Sequence, residues 1–339
     1  VIVALALLQS VIVEPPSEPR APEPTPKIEV GALIQVEAGE RADANDTPGF
    51  RVSRARLRAD AKLEKVLRLE GYVELEVSPM SPLLVPPLAD AWIGMDVASK
   101  LIADLGRLRI GQLKVPFGGE LPRPPQELMF VDRNAPETCL APGRQQKDNT
   151  LLASTGRDVG LRWDGDFGPL GIAAGVWNGE GPNVVRAGGG LPHSGPLVTA
   201  RSWLHFAHFE IGGSFARGDD APIAGCESGA PETRANITSA GADFFFNWKW
   251  LRAEAEYVFQ EASGVERWGV SGAAGFYAIP DFLLLAFRIE EVPDYWQWSG
   301  GLALAYLGPR YRLQYSYTHR TRTDGSTSGA NLIAFTLAY

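Results

Sequence analysis

Asn331-Leu332-Ile333-Ala334-Phe335-Thr336-Leu337-Ala338-Tyr339 is the stretch on which the reading of the fold turns. Ile333, Phe335, Leu337 and Tyr339 share one face of a strand, because side chains in a strand alternate with a period of two. A soluble protein gains nothing from an exposed apolar strand, since an open edge is a template for aggregation. A strand that pairs back onto the first strand of the same chain leaves no edge. In lipid that closure is obligatory, because no water is present to satisfy free backbone groups. The stretch predicts a closed transmembrane barrel, provided that the rest of the chain alternates in the same way.

It does. Residues 52–63 place Ala55, Leu57, Ala59, Ala61 and Leu63 on one face and Arg54, Arg56, Arg58, Asp60 and Lys62 on the other. The next segment sets Leu67, Leu69, Val73, Leu75 and Val77 against Arg68, Glu70, Tyr72, Glu74 and Glu76. Residues 251–259 and 311–318 repeat the pattern. A β-sandwich also alternates. Here, however, aromatics recur near strand ends (Trp163, Trp203, Trp248, Trp250, Trp296, Trp298, Tyr311), where an amphipathic ring suits a membrane interface.

Composition agrees with this reading. The 339 residues are 45% hydrophobic and 21% charged, yet no run of 18 apolar residues occurs that would make a transmembrane helix. Barrel strands escape that test because only every second residue is apolar. A net charge of −8 argues against nucleic acid as a partner. Residues 1–13 read as the apolar core of an export signal, although no charged start or initiator Met precedes them. Residues 14–27, rich in proline, read as a disordered linker, and 28–339 as the barrel.

Strands are expected at 28–38, 50–63, 66–77, 88–97, 105–113, 155–164, 170–177, 197–206, 208–216, 238–247, 250–261, 264–277, 281–291, 295–306, 309–320 and 329–339. That gives about sixteen, an even number. Connections after the even-numbered strands read as short (Glu64-Lys65, Ala207, Leu307-Gly308). Those after strands 1, 3, 5, 7 and 9 read as longer, with 114–154 the longest. Short turns at one end and long loops at the other are the asymmetry of a bacterial outer-membrane barrel with its long loops outside. Cys139 and Cys226 fall in two of these outer loops. An oxidising compartment there allows a disulfide, and two free thiols fit the sequence as well. Neither cysteine has a His or Cys at ligand spacing, so no metal site and no cofactor is expected.

The terminal stretch also looks like the assembly signal of outer-membrane barrel proteins. Residues 50–179 carry a more specific pattern: Phe50-Arg51-Val52-Ser53-Arg54-Ala55-Arg56-Leu57, Leu88-Ala89-Asp90-Ala91-Trp92-Ile93, and Leu108 through Glu120 with Gly111-Gln112, Lys114 and Pro116-Phe117-Gly118-Gly119-Glu120. Phe130-Val131-Asp132-Arg133, Arg157-Asp158-Val159-Gly160-Leu161 and Gly175-Val176-Trp177-Asn178-Gly179-Glu180-Gly181 follow in order. This half of the chain resembles the phosphate-selective porin O/P family. The resemblance implies an all-β, sixteen-stranded, water-filled antiparallel barrel, usually a homotrimer, with the long third loop folded into the lumen. Gly111, Gly118 and Gly119 around Pro116 fit a chain leaving the wall and turning inward.

The functional expectation is a non-enzymatic outer-membrane porin for passive diffusion of small anionic or neutral hydrophilic solutes, with some preference for anions such as phosphate. The candidate anion-contacting residues are Arg54, Arg56, Arg58, Arg107, Arg109, Lys114, Arg133 and Arg162, since guanidinium groups bind phosphate oxygens bidentately. Glu120 and Asp132 are the candidate constriction-loop acids. The competing reading of the same charges is cross-strand pairing, with Glu70, Glu74 and Glu76 beside the arginines. The loop also carries Arg123, Arg144, Lys147, Glu127, Glu137 and Asp148, so its sign is mixed. Three other functions compete with the porin, one of them a secreted sugar-binding β-protein with no membrane, against which the terminal aromatic and the loop asymmetry speak. A barrel hydrolase would need a catalytic pair among His193, His205, His208 and His319, and no Gly-x-Ser-x-Gly or HExxH motif occurs. A non-channel anchor would use the proline-rich arm.

Overall fold

In a computed structural model of the chain, the described residues are 27–39, 49–63, 69–77, 88–96, 105–120, 122–124, 127–140, 156–179, 195–223, 226, 233–306 and 310–338. They form sixteen strands: β1 (Lys27–Gly39), β2 (Gly49–Leu63), β3 (Leu69–Val77), β4 (Leu88–Asp96), β5 (Arg107–Lys114), β6 (Arg157–Phe167), β7 (Leu170–Trp177) and β8 (Leu197–His205). The second half comprises β9 (Phe209–Ile223), β10 (Thr233–Trp248), β11 (Leu251–Ala262), β12 (Val265–Ile279), β13 (Leu283–Val292), β14 (Tyr295–Tyr306), β15 (Tyr311–Arg322) and β16 (Thr327–Ala338). One short helix, α1 (Ala135–Leu140), lies between β5 and β6. Every strand pairs antiparallel with its neighbours in sequence, and β1 pairs with β16, from Leu33 opposite Ala338 to Gly39 opposite Leu332. The barrel is closed, as the last nine residues demanded.

The alternation in the sequence becomes an outside and an inside. On β16, Ile333 and Phe335 are 46% and 44% exposed, while Leu332, Ala334 and Thr336 between them are buried. Exposed Leu57, Val73, Ile93, Ile110, Leu161, Val198, Phe215, Phe244, Tyr257, Phe287 and Leu313 continue that outer surface around the barrel. Each such side chain left in water would forgo about 1.5–3 kcal/mol of burial, so the surface belongs in lipid. Among the described residues, no helix is long and apolar enough to cross a membrane. Exposed rings collect at the turns, with Phe206 stacked on Phe209 beside Trp248 and Trp250 at one end and Trp268 and Trp296 at the other.

The expected pattern of strands needs one correction. Strands β9 and β10 run further than alternation indicated, to Ile223 and from Thr233, with a bulge between Ala235 and Ile237. Gly218-Asp219-Asp220-Ala221-Pro222 has turn chemistry but remains paired in the ladder. Lys27, at the edge of the expected linker, is already in β1, and residues 1–26 lie outside the described residues, as does Tyr339.

Inside, the chain after β5 leaves the wall and crosses the lumen. Val115, Phe117, Leu128, Met129, Phe130, Val131, Cys139 and Leu140 from this loop are all buried. They pack on small and aliphatic wall residues that include Ala216, Ile237, Val258, Ala273, Leu284, Ala303 and Ala334. The largest apolar cluster also takes in Leu113, Trp177 and Leu197 from β5, β7 and β8, with Trp92 of β4 against it, so the packing is most extensive along β9–β16 but reaches beyond that wall. Two glycines make the departure feasible. Gly111 has φ 139° and Gly118 φ 69°, and at Gly118 a Cβ would collide with the carboxylates of Glu137 and Glu256.

Arginine at Ile333 or Phe335 is expected to cost about 2–4 kcal/mol of barrel stability, because both side chains face hydrocarbon. Urea unfolding of protein refolded into vesicles would show this as a lower midpoint. Thr327→Arg, beside the exposed β15–β16 turn, is expected to leave the midpoint within error.

Candidate functional site: the constriction loop and the charged lumen

The loop has little regular structure, so its backbone polar groups need other partners. The wall supplies them through side chains. Gly118 N–H donates to Ser214 Oγ (3.0 Å), Gly119 N–H to Glu256 Oε1 (3.0 Å) and Ala135 N–H to Glu290 Oε1 (2.6 Å). In the other direction, Gln260 donates to Leu140 O (3.0 Å), Gln314 to Met129 O (3.3 Å) and Arg288 to Asp132 O (3.0 Å). Asn134 caps α1 by accepting the Glu137 N–H at 2.8 Å. Two of the candidate cations belong to this scaffold. Lys114 Nζ donates to the carbonyls of Pro122 (3.0 Å) and Arg123 (3.4 Å), and Arg133 donates to those of Glu120 and Arg123. Their charge lies near the loop tip, but their donors are spent on holding it.

The motifs of the first half meet across the same wall. Arg157 grips Asp90 with Nε at 3.0 Å and Nη2 at 2.9 Å, and its Nη2 also lies 3.3 Å from Glu74. Asp158 accepts the N–H groups of Val159 and Gly179, each at 2.7 Å, and ties the start of β6 to the end of β7. The Asp90, Arg157-Asp158 and Asn178-Gly179 elements are one hydrogen-bonded unit. Sequence reasoning marked them as motif positions without seeing the pairing.

The remaining candidate cations divide into paired and free. Arg107 bridges Glu70 (2.6 Å) and Asp96 (2.7 Å). Arg109 pairs with Asp164 (3.0 Å) over the Trp92 ring, and Arg162 pairs with the other Asp164 oxygen. Arg56 lies 3.2 Å from Glu74, a diagonal partner, since its direct neighbour across the ladder is Glu76. Arg58 has no ion pair among the described residues. The Arg54 side chain lies outside the described residues, as do His193, Arg144, Lys147 and Asp148.

Two cavities flank the loop tip. One, of about 350 Å³, is lined by Arg56, Arg58, Lys114, Arg157 and Arg310 against Glu74 and Asp90, with Tyr72 and Pro124 completing its wall. The other, about 700 Å³, opens among the short turns around Arg123, Glu127, Glu210, Arg252, Glu254 and Arg312. There Arg123 stacks on the Phe245 ring at 3.5 Å. Sequence reasoning placed Arg310 within the expected strand 309–320 but did not single it out as a candidate cation.

The candidate loop acids do not line either cavity. Glu120 is only 4% exposed and sits under the loop beside Glu137 and Glu256, where burial raises its carboxyl to about 8 and raises that of Glu137 as well. Asp132 presents its backbone carbonyl to Arg288. Cys139 and Cys226 are unbridged thiols, both buried in the same apolar cluster and hydrogen-bonded to each other. Of the histidines, His205 lies 3.6 Å from Glu210 at the β8–β9 turn, and His319 packs against Trp298.

No family model matches the chain, and no curated protein matches it. Solved structures do. An anion-selective porin from Comamonas acidovorans superposes with a TM-score of 0.65 at 12% identity, over 93% of this chain and 100% of that one. OmpT of Vibrio cholerae in its trimer form gives 0.61 at 10% identity over 93% and 100%. The outer membrane channel DcaP of Acinetobacter baumannii gives 0.60 at 11% over 93% and 97%. The fold is that of the outer-membrane porins, and the narrower likeness to the O/P family has no matching family model behind it.

Arg157→Met is expected to strand Asp90 in a buried site, which costs about 3–5 kcal/mol for a broken buried pair. Denaturant unfolding would register that loss, and Asp90→Asn combined with Arg157→Met is expected to recover a substantial part of it.

Proposed function

We propose that the protein is a bacterial outer-membrane porin, a non-enzymatic conduit for small hydrophilic solutes with a preference for anions. The observation that carries this reading is the charge of the cavity beside the loop tip. Five cationic side chains there face two carboxylates, and Arg58 and Arg310 have no ion pair among the described residues. Paired arginines are held within the wall, so the unpaired guanidinium groups set the field that a solute meets. Low-dielectric walls strengthen that field, lowering the barrier for an anion and raising it for a cation. Phosphate is a suitable passenger because guanidinium offers two parallel donors to its oxygens. The anion-selective porin among the similar folds adds support at the level of architecture.

The outer surface supports a homotrimer. Among the described residues, exposed rings lie almost entirely on β6–β16 and their turns, from Phe167 to Phe335. The exterior of β1–β5 is aliphatic, with Ile28, Val30, Ile34, Leu57, Val73, Ile93 and Ile110 and the single exposed ring of Phe50. Interfacial aromatics serve a lipid-facing surface. A wall with almost none suits packing against identical neighbours.

Planar-bilayer recording in a KCl gradient tests the conduction reading. An anion-selective reversal potential is expected, with block by millimolar phosphate. In Arg58→Glu/Arg310→Glu the anion-to-cation permeability ratio is expected to fall by about threefold or more. A cation-selective wild type would sink the anion preference, and silence from a folded barrel would sink the channel. For assembly, Leu57→Arg is expected to convert trimers to monomers in detergent by light scattering, whereas Tyr257→Arg on the aromatic side leaves trimers.

A further inference from the structure

Glu120 and Glu137 from the loop and Glu256 from β11 bring carboxylate oxygens within 4.8 Å of one another, and all three side chains are buried. Hydrogen bonds fix their orientation. Glu256 accepts from Gly119 N–H and from the Asn134 side chain, Glu137 Oε1 accepts from Glu120 N–H, and Glu120 Oε2 accepts from Asn134 N–H. Glu137 Oε2 receives no hydrogen bond, although Glu137 is only 1% exposed. The Glu137 carboxyl instead meets that of Glu256, oxygen towards oxygen. Two acceptors in contact need a positive species between them.

Arg288 and Arg133 bear on the cluster through their charge, but neither guanidinium donates a hydrogen bond to its carboxylates. Arg133 donates to loop carbonyls, and Arg288 is committed to Glu290 (3.0 Å) and Asp132 O. One proton shared by Glu137 and Glu256 would still leave a buried negative charge on that pair, even with Glu120 neutral. Beside the cluster is a void of about 10 Å³, the size of a single ion or water, which Glu120, Glu254, Glu256, Asn134 and Ser271 line together with Arg288 and Phe245, Glu137 lying outside it. Hard oxygen donors from three places in the fold, one of them orphaned, match the requirements of a calcium-like cation.

We propose that Glu120, Glu137 and Glu256 bind one divalent cation, Ca²⁺ in preference to Mg²⁺, which clamps the constriction loop to the barrel wall. Glu137 and Glu120 reach it from the loop and Glu256 from the wall, so the ion cross-links parts of the chain that are otherwise joined by hydrogen bonds and apolar contact. Ca²⁺ is preferred because it accepts irregular oxygen geometry and sheds water more readily than Mg²⁺. The site requires no conduction, so its test is independent of the channel reading.

Equilibrium dialysis of ⁴⁵Ca²⁺ against full-length protein, refolded in detergent without lipopolysaccharide and stripped with chelator, decides the matter. One Ca²⁺ per chain is expected, with a Kd in the range of about 0.1–1 mM. Affinity is expected to fall at least tenfold in Glu137→Gln and in Glu256→Gln, and to be unchanged in Glu291→Gln, an exposed acid on β13. Wild-type protein is also expected to unfold at a higher temperature with Ca²⁺ than with EDTA, which keeps the test open should the variants misfold. Absence of stoichiometric Ca²⁺, full binding in a folded Glu137→Gln, or no thermal response would overturn the proposal. A Glu137→Gln barrel more stable than wild type that binds no Ca²⁺, beside a wild type that also binds none, would identify a shared proton in its place.

Discussion

A loop that crosses the inside of a barrel must satisfy its backbone without the help of a neighbouring strand, and that requirement organises this molecule. Wall strands spend their hydrogen bonds on each other, so only side chains can reach inward to the loop. Ser214, Glu256, Gln260, Arg288, Glu290 and Gln314 do so, from β9, β11, β13 and β15. Each of these residues occupies an inward position that would otherwise face water. The polarity of the lumen wall on this side is thus a structural demand of the loop, and its charges should not be counted as solute contacts.

The same distinction sorts the arginines. A charge that is buried and paired, such as Arg157 between Glu74 and Asp90, stabilises a particular geometry and contributes little net field, because its partners cancel it. A charge without a partner contributes its field to whatever passes. Counting arginines on the polar face of a strand therefore overstates anion attraction. Counting those left unpaired yields a smaller set, centred on Arg58 and Arg310.

Much of the barrel was legible in the sequence, because lipid outside and water or loop inside impose a period of two on nearly every strand. The sixteen strands, the closure and the inward turn at Gly118 all follow from local pattern. What was not legible depends on contacts distant in sequence. Glu120 reads as a loop acid facing the pore, but the wall carboxylate that gives it meaning, Glu256, belongs to a strand whose alternation looks ordinary. The extension of β9 was hidden because Asp219, Asp220 and Pro222 resemble a turn, while the ladder to β10 holds them as strand. Arg310 lay within the expected strand 309–320, and nothing local to it showed that its side chain would border the cavity beside the loop tip.

The apolar packing of the loop also bears on the asymmetry between the halves of the chain. Packing a loop against the inner wall requires inward residues small enough to leave room, and Ala216, Ala273, Ala303 and Ala334 provide it on β9–β16. These strands, after the β9–β10 connection, are joined by tight connections at both ends, such as 249–250, 263–264, 280–282 and 293–294, so this wall is held stiffly where the loop leans on it. The opposite wall, β1–β6, carries paired charges and most of the lining of the cavity beside the loop tip, to which Arg310 is added from the start of β15. A stiff half positions the obstruction and a polar half borders the passage. Because much of the loop's apolar anchor lies on the stiff half, loosening it there would move the obstruction relative to Arg58 rather than unfold the barrel. The size of the opening and its charge are then set by separate parts of the sequence, and can change independently.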